Sequence, residues 1–264
     1  MPAHHNRRNP ALLPDDFAQT GLLIRRTGPV PKRFQVLGER SSGTNYLSRL
    51  LSRNSTMEST EAAGWKHGHP SALAIPADVA VICLVRHAED WARSMHSKPW
   101  HATPALQELG FSAFLRAPWT SIVDRARYFE AKSGLVGQPL QADRDPLTGK
   151  ICANLFALRR SKLTGLLTYL NRDCTMALVR LEALQAEPEA MTNRLLAALG
   201  LPARTAPFKG VNKRLGAKFK PAIPVRPMTP DRFSEADRAF MISQLDLELE
   251  ARLGYRYRGD VTTS

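Results

Sequence analysis

The chain alternates short, wholly apolar runs with longer stretches in which apolar residues return every three or four positions. Arg33 to Gly38, RFQVLG, is a short apolar run ending at glycine and predicts a buried strand of a parallel sheet. Past the turn that follows, Leu47, Leu50 and Leu51 stand at i, i+3 and i+4, which predicts a helix with one apolar face. The strongest strand is Val79 to Val85 in DVAVICLVRH, apolar throughout and rich in β-branched residues, as a central strand covered on both faces requires. A helix should follow it from about Asp90. The run TMALVR at 175–180 repeats the pattern and leads into a helix with Pro188 in its first turn, Met191, Leu195 and Leu199 on one side, and Gly200 as its stop. A last helix is predicted from Ser234, its cap, to Gly254, with Ile242, Leu245, Leu249 and Leu253 along one side.

Strands alternating with helices predict an α/β fold: one domain over residues 33–264, with a central parallel sheet flanked by helices. Residues 97–150 are rich in Pro, His and Trp and lack a clean period before roughly 113; such an inserted helical and loop region walls a substrate site, here the acceptor side. Residues 1 to about 32, polar and punctuated by proline, read as a loosely held N-terminal arm.

Charge narrows the partners. With 37 Lys+Arg against 24 Asp+Glu the formal charge is +13, which favours anionic ligands such as nucleic acid, anionic lipid or a phosphorylated or sulfated compound. Three widely spaced cysteines, Cys83, Cys152 and Cys174, without a C-x-x-C, fit a reduced, cytoplasmic protein. No apolar run is long enough for an integral membrane segment, and the first residues lack the apolar core of a secretory signal.

The turn after the first strand carries the most specific chemistry. VLGERSSGTN keeps the two glycines of a phosphate-binding P-loop, Gly38 and Gly43, but has Thr44 where the Lys belongs and Asn45 where the magnesium ligand belongs. A cradle of backbone N–H groups at a helix N-terminus remains, with the Ser42 and Thr44 hydroxyls and the Asn45 amide as neutral donors. Ligands of parallel α/β sheets bind beyond the carboxyl ends of the strands. Arg86 leaves the central strand there, and Ser94 follows eight residues on, so the two can form a second anion site with a guanidinium fork and a hydroxyl.

A P-loop without its Lys, followed by LVRHAEDWARSMH, resembles the sulfotransferases that use 3′-phosphoadenosine 5′-phosphosulfate (PAPS), over roughly Phe34 to Tyr257. The resemblance implies a P-loop-like fold in which Arg40, Ser41, Ser42, Gly43, Thr44 and Asn45 hold the 5′-phosphosulfate, and Arg86 and Ser94 the 3′-phosphate. FKGVNKRLGAKFK is similar to the family's Lys-Gly loop over the 3′-phosphate, which assigns Lys209 and Gly210, and LVRLEAL to its Arg-Tyr-Glu-Asp-Leu strand. The implied reaction moves a sulfuryl group to a hydroxyl, or second an amine, of a small-molecule or saccharide acceptor and releases adenosine 3′,5′-bisphosphate, with no metal required and no nucleic acid as partner.

Three positions depart from the family. Ser41 stands where many members carry a Lys or Arg, so the catalytic cation is Arg40, one residue earlier, or Lys66; Phe208 replaces the Arg before the Lys-Gly pair, and Leu181 the strand Tyr. GWKHGHP at 64–70 lies where the family carries Lys-x-His-x-Pro, with Gly68 in the His position. His67 is the first choice as general base and His69 the second, with Lys66 on the leaving phosphate or the sulfuryl oxygens; Glu39 and Glu182 are the carboxylate alternatives. Trp65, Trp91, Trp100 and Trp119 are candidates to shape the acceptor pocket, Arg144 and Lys150 to meet an anionic acceptor, and RRSK at 159–162 reads as a solvated helix face.

Two other readings compete. A P-loop kinase of a nucleotide or small molecule needs a Lys at 44 and an acidic metal ligand after a later strand, where Thr44 and Arg86 stand. A nucleic-acid-binding module needs its basic residues gathered into a stripe with stacking aromatics, whereas these are spread along the chain, with local concentrations at 207–220 and 159–162.

Overall fold

The computed structural model describes residues 13–129, 133–212 and 218–257. In chain order they form α1 (Phe17–Thr20), β1 (Leu22–Arg25), β2 (Arg33–Gly38), α2 (Thr44–Asn54), β3 (Glu58–Ser59), β4 (Val79–Val85), α3 (Ala88–Ser97), α4 (Pro104–Gln107), α5 (Phe111–Arg116), α6 (Leu155–Leu167), β5 (Met176–Arg180), α7 (Leu181–Ala186), α8 (Pro188–Ala198), α9 (Glu235–Gln244) and α10 (Leu247–Arg252). The strands make one sheet in the order β1-β5-β4-β2-β3, parallel except where β1 joins β5 antiparallel. This is the α/β architecture that the alternating pattern implied.

Both faces of the sheet are covered, which is why β4 reads as a continuous apolar run. Val79, Val81, Cys83 and Val85 turn to one core with Trp91 and Met95 of α3, Phe114 of α5 and Leu155 of α6. Ala80, Ile82 and Leu84 turn to the other, with Leu47, Leu50 and Leu51 of α2 and Met191 and Leu195 of α8. The register brings Gly38 opposite Leu84, and Val85 opposite Arg180. Glu39, Arg86 and Leu181 therefore leave the sheet side by side at its carboxyl edge.

Three expectations need correction. Within the predicted arm, residues 13–32 belong to the domain: Phe17 is fully buried, β1 completes the sheet, and Arg25 donates to the carbonyls of Leu170 and Tyr169 at 2.5 and 3.2 Å. Residues 1–12 lie outside the described residues. The last helix is two helices, because Leu245 takes an extended ψ of 153° and Asp246 caps a new start through Leu249 N. The RRSK segment is a solvated face only in part: Arg160 is exposed and Ser161 half-buried, but Arg159 is fully buried and Lys162 nearly so.

Candidate active site

The turn between β2 and α2 is built around two glycines. A Cβ on Gly38 would lie 2.6 Å from the Leu84 carbonyl, so the strand packs against β4 only without one. Gly43 has φ +95°, and a Cβ there would also strike Leu181 Cδ1 at 2.7 Å. Ser41 shares the left-handed conformation at φ 64°. Gly43 precedes the first turn of α2, and the first N–H groups to find a carbonyl there are those of Tyr46 and Leu47, both to Gly43 O. The N–H groups of Gly43, Thr44 and Asn45 have no acceptor among the described residues and gather at the positive end of an eleven-residue helix. Ser42 does not join them, since its hydroxyl donates to the Glu39 carbonyl at 2.7 Å and is sealed.

Arg86 lies against this turn, its Nη1 donating to the Ser41 carbonyl at 2.8 Å. Ser94, half-buried, stands two turns along α3. Lys209 and Gly210 lie elsewhere. The Lys209 backbone is clamped by Asn54, which accepts from its N–H at 2.9 Å and donates to its carbonyl at 3.1 Å, and Arg53 donates to Gly210 O at 2.6 Å. Asn54 ends α2, and its ten residue steps from Thr44 at 1.5 Å place that clamp roughly 15 Å from the turn. The structure thus joins Arg86 to the turn and holds the Lys-Gly backbone at the far end of the helix.

No family model, curated protein or solved structure matches this chain.

The segment carrying Trp65 to His69 is pinned beside the turn by β2. Buried Gln35 donates to Gly64 O at 2.6 Å and accepts from Ala63 N at 2.6 Å, and Gly38 N donates to Lys66 O at 3.0 Å. Lys66 Nζ then donates to Asn45 Oδ1 at 2.8 Å, which sets a cation at the mouth of the turn, and burial lowers its pKa. His67 donates from Nδ1 to the Gly38 carbonyl at 2.7 Å. That bond leaves a lone pair on Nε2, while burial first, and the charge of Lys66 next, hold the ring neutral far below the ordinary imidazole value. His69 turns the other way, its Nε2 to the Ser161 hydroxyl at 3.0 Å and its ring against Gly165 of α6.

Arg40 is not a free cation. Its Nη2 donates to Asp143 at 2.6 Å, and the guanidinium lies 5.3 Å from the Trp119 ring and 5.8 Å from that of Trp65. Asp143 also accepts from Ser121 at 2.6 Å and Trp119 at 3.1 Å, with Lys162 Nζ 3.2 Å away. Burial alone would raise this carboxyl; Arg40 and Lys162 outweigh it and hold it well below the usual range. Behind it, Arg159 binds Glu39 at 2.9 Å, Glu250 at 2.7 Å and the Arg86 carbonyl at 2.8 Å. Burial pushes Glu39 up to about 7 against the pull of Arg159. Glu182 is engaged by His87 N at 2.9 Å and the Tyr255 hydroxyl at 3.0 Å.

The tryptophans divide between these layers. Trp91 and Trp119 are buried under the charge network; Trp65 and Trp100 are half-buried at its outer side, each in contact with His101. Arg144 folds back on its own turn, to Gly149 O at 3.2 Å, and Lys150 is exposed. Two spaces open among these groups. One is a cavity of about 10 Å³, room for a single water, lined by Glu39, Arg40, His67, Trp91, Met95, Leu158 and Lys162. The other is an open cleft of about 590 Å³ lined by Asp124, Arg125, Ala126, Lys220, Pro221 and Ala222. Asp143, Arg159 and Lys162 escaped the sequence reading, and the hint available was the spacing of Arg159 and Lys162 with the apolar Leu155, Phe156, Leu158, Leu163 and Leu166 of α6.

Proposed function

We propose that the protein is a PAPS-dependent sulfotransferase, acting on a hydroxyl or, second, an amine of a small-molecule or saccharide acceptor. The observation that carries this reading is the turn itself: N–H groups of Gly43, Thr44 and Asn45 without acceptors, at a helix N-terminus, with Lys66 and Arg86 on its two sides and Thr44 in the place of a nucleotide-binding lysine. Such donors suit a phosphosulfate, whose phosphate they can hold through backbone dipoles. Arg86 is the fork for the second phosphate, at the strand edge where α/β ligands bind.

Lys66 is the cation of the reaction in this reading, because Arg40 is already neutralised by Asp143. As the sulfuryl group leaves the phosphate oxygen, negative charge grows on that oxygen, and an ammonium at the mouth of the turn stabilises it. The rest of the catalysis is alignment of the acceptor with the donor.

Calorimetric titration with adenosine 3′,5′-bisphosphate, beside ADP and Mg-ATP, tests the reading. The bisphosphate should bind and the other two should not, and Arg86→Ala should weaken binding by about 1.5–3 kcal/mol, the cost of a lost charged hydrogen bond. Binding of Mg-ATP without the bisphosphate would overturn it in favour of a kinase.

A further inference from the structure

The insertion between α3 and α6 contains a side-chain pair that the turn does not use. His101 sits in the left-handed region at φ 66°, a conformation that costs a non-glycine residue on the order of 1–3 kcal/mol and concentrates at functional sites. The backbone is clamped there: Ala102 N donates to Pro99 O at 3.1 Å, and Ile122 N to His101 O at 2.8 Å. That conformation aims Nδ1 at Asp124 Oδ1, 2.7 Å away, while Asp124 Oδ2 faces Arg125 Nε at 3.4 Å. Trp65, Tyr128 and Phe129 enclose the ring at 5.9, 5.9 and 4.9 Å.

A carboxylate on Nδ1 requires the proton on that nitrogen and leaves Nε2 as a lone pair. No described residue hydrogen-bonds to Nε2. Asp124 lines the 590 Å³ cleft, and on the other side of the pair the Trp65 indole meets both His101, at 5.9 Å, and His67, at 5.5 Å. His67 in turn is fastened to Gly38 of the anion-binding turn. The pair therefore stands between the space large enough for an acceptor and the Trp65 indole, with His67 and the turn beyond that ring. Of the two spaces, His67 lines the water-sized cavity.

We propose that His101 is the general base that takes the proton of the acceptor, that Asp124 positions it, and that the acceptor enters by the cleft. The inference rests on the sulfuryl-transfer reading. The acceptor oxygen forms its bond to sulfur as the bond from sulfur to the phosphate oxygen breaks. The acceptor's proton passes to Nε2, the electron pair of the broken bond stays on the phosphate, and adenosine 3′,5′-bisphosphate departs. Asp124 stabilises the imidazolium until it loses the proton to solvent.

Water serves as the acceptor in the test, so no natural acceptor is needed. The full chain and its His101→Asn, Asp124→Asn and His67→Gln variants are first titrated with the bisphosphate, then given PAPS alone, and bisphosphate release is followed from about pH 5 to 8. Asn keeps the left-handed backbone accessible at 101. All four should bind the bisphosphate within a few fold. His101→Asn should slow release roughly 100-fold and remove the acidic limb of the rate profile. Asp124→Asn should keep that limb but move it to lower pH, because the carboxylate no longer supports the imidazolium against burial and the charge of Arg40; the other groups facing the ring, Asp143 and His67, are unchanged. Undiminished release by His101→Asn overturns the inference, as does loss of the limb in His67→Gln alone, or no release by the parent chain that binds the bisphosphate. Failure of the parent chain to bind the bisphosphate would instead refute the sulfuryl-transfer reading beneath it.

Discussion

Arg40 and Asp143 meet at 2.6 Å, with 4% and 2% of their side chains exposed. The pair joins the turn after β2 to the insertion 103 residues later in the chain, and Lys162 of α6 makes it a triad. Desolvating such charges costs several kcal/mol per ion, so the arrangement holds only while every partner is present.

Asp143→Ala should consequently destabilise the fold by about 3–5 kcal/mol, since it strands two buried cations. Urea denaturation with an unchanged slope would measure it. A loss below about 1 kcal/mol would mean that the cations are solvated once the carboxylate is gone. The same pair sets an acid limit. The Asp143 carboxyl is held below its ordinary value, so its stabilisation is complete above pH ~4 and declines as the pH falls toward its native pKa. The decline should vanish from the Asp143→Ala profile.

His67 contributes a second pH dependence of the same sign by a different cause. Burial keeps the folded ring neutral, whereas an unfolded histidine takes up a proton below about pH 6.5. The unfolded state then binds more protons, and stability falls as the pH drops from that value. Nitrogen chemical shifts should report a neutral Nδ1–H ring at pH ~6, where an ordinary imidazole is more than half charged. A ring titrating near 6.5 would refute the assignment.

Much of this geometry could be read in the chain, and the reasons for the rest are physical. β2, β4 and β5 were legible because both their faces are buried, which leaves a run of apolar residues without alternation. The turn was legible because two glycines are needed for its backbone, Gly38 for contact with β4 and Gly43 for its φ. β1 was not, because its LLIR is four residues long and half-buried at the sheet edge. The charge network was not, because Arg40, Asp143, Arg159 and Glu250 lie far apart in sequence and each is buried only by virtue of its partners. Nor does any local pattern disclose that His101 adopts a positive φ and faces Asp124.

Lys66 offers a direct trial of which cation serves the turn. Lys66→Met should weaken bisphosphate binding about tenfold or more, the loss expected for one charged hydrogen bond, and should flatten its salt dependence. Because burial lowers the Lys66 pKa, the parent chain should begin to lose affinity on the alkaline side at a pH below that of an ordinary lysine, near 10.4, and the variant should not. An affinity equal in both proteins at pH 7 would return the role to Arg40.

Lys209 and Arg86 separate what this fold places at the turn from what the Lys-Gly resemblance implies. Arg86 touches the turn through the Ser41 carbonyl, so Arg86→Ala removes a charge from the anion's immediate surroundings. The Lys209 backbone is fixed by both ends of the Asn54 amide at the opposite end of α2. A screened charge on a residue whose backbone is held roughly 15 Å from the turn contributes little, since that distance exceeds the Debye length of about 8 Å at physiological salt. Lys209→Ala should therefore change bisphosphate affinity less than about twofold where Arg86→Ala changes it tenfold or more. Equal losses would mean that the segment around Lys209 swings onto the ligand, and hydrogen exchange at the Lys209 amide, slowed in the ligand-free protein by its bond to Asn54, would then quicken when the bisphosphate is added.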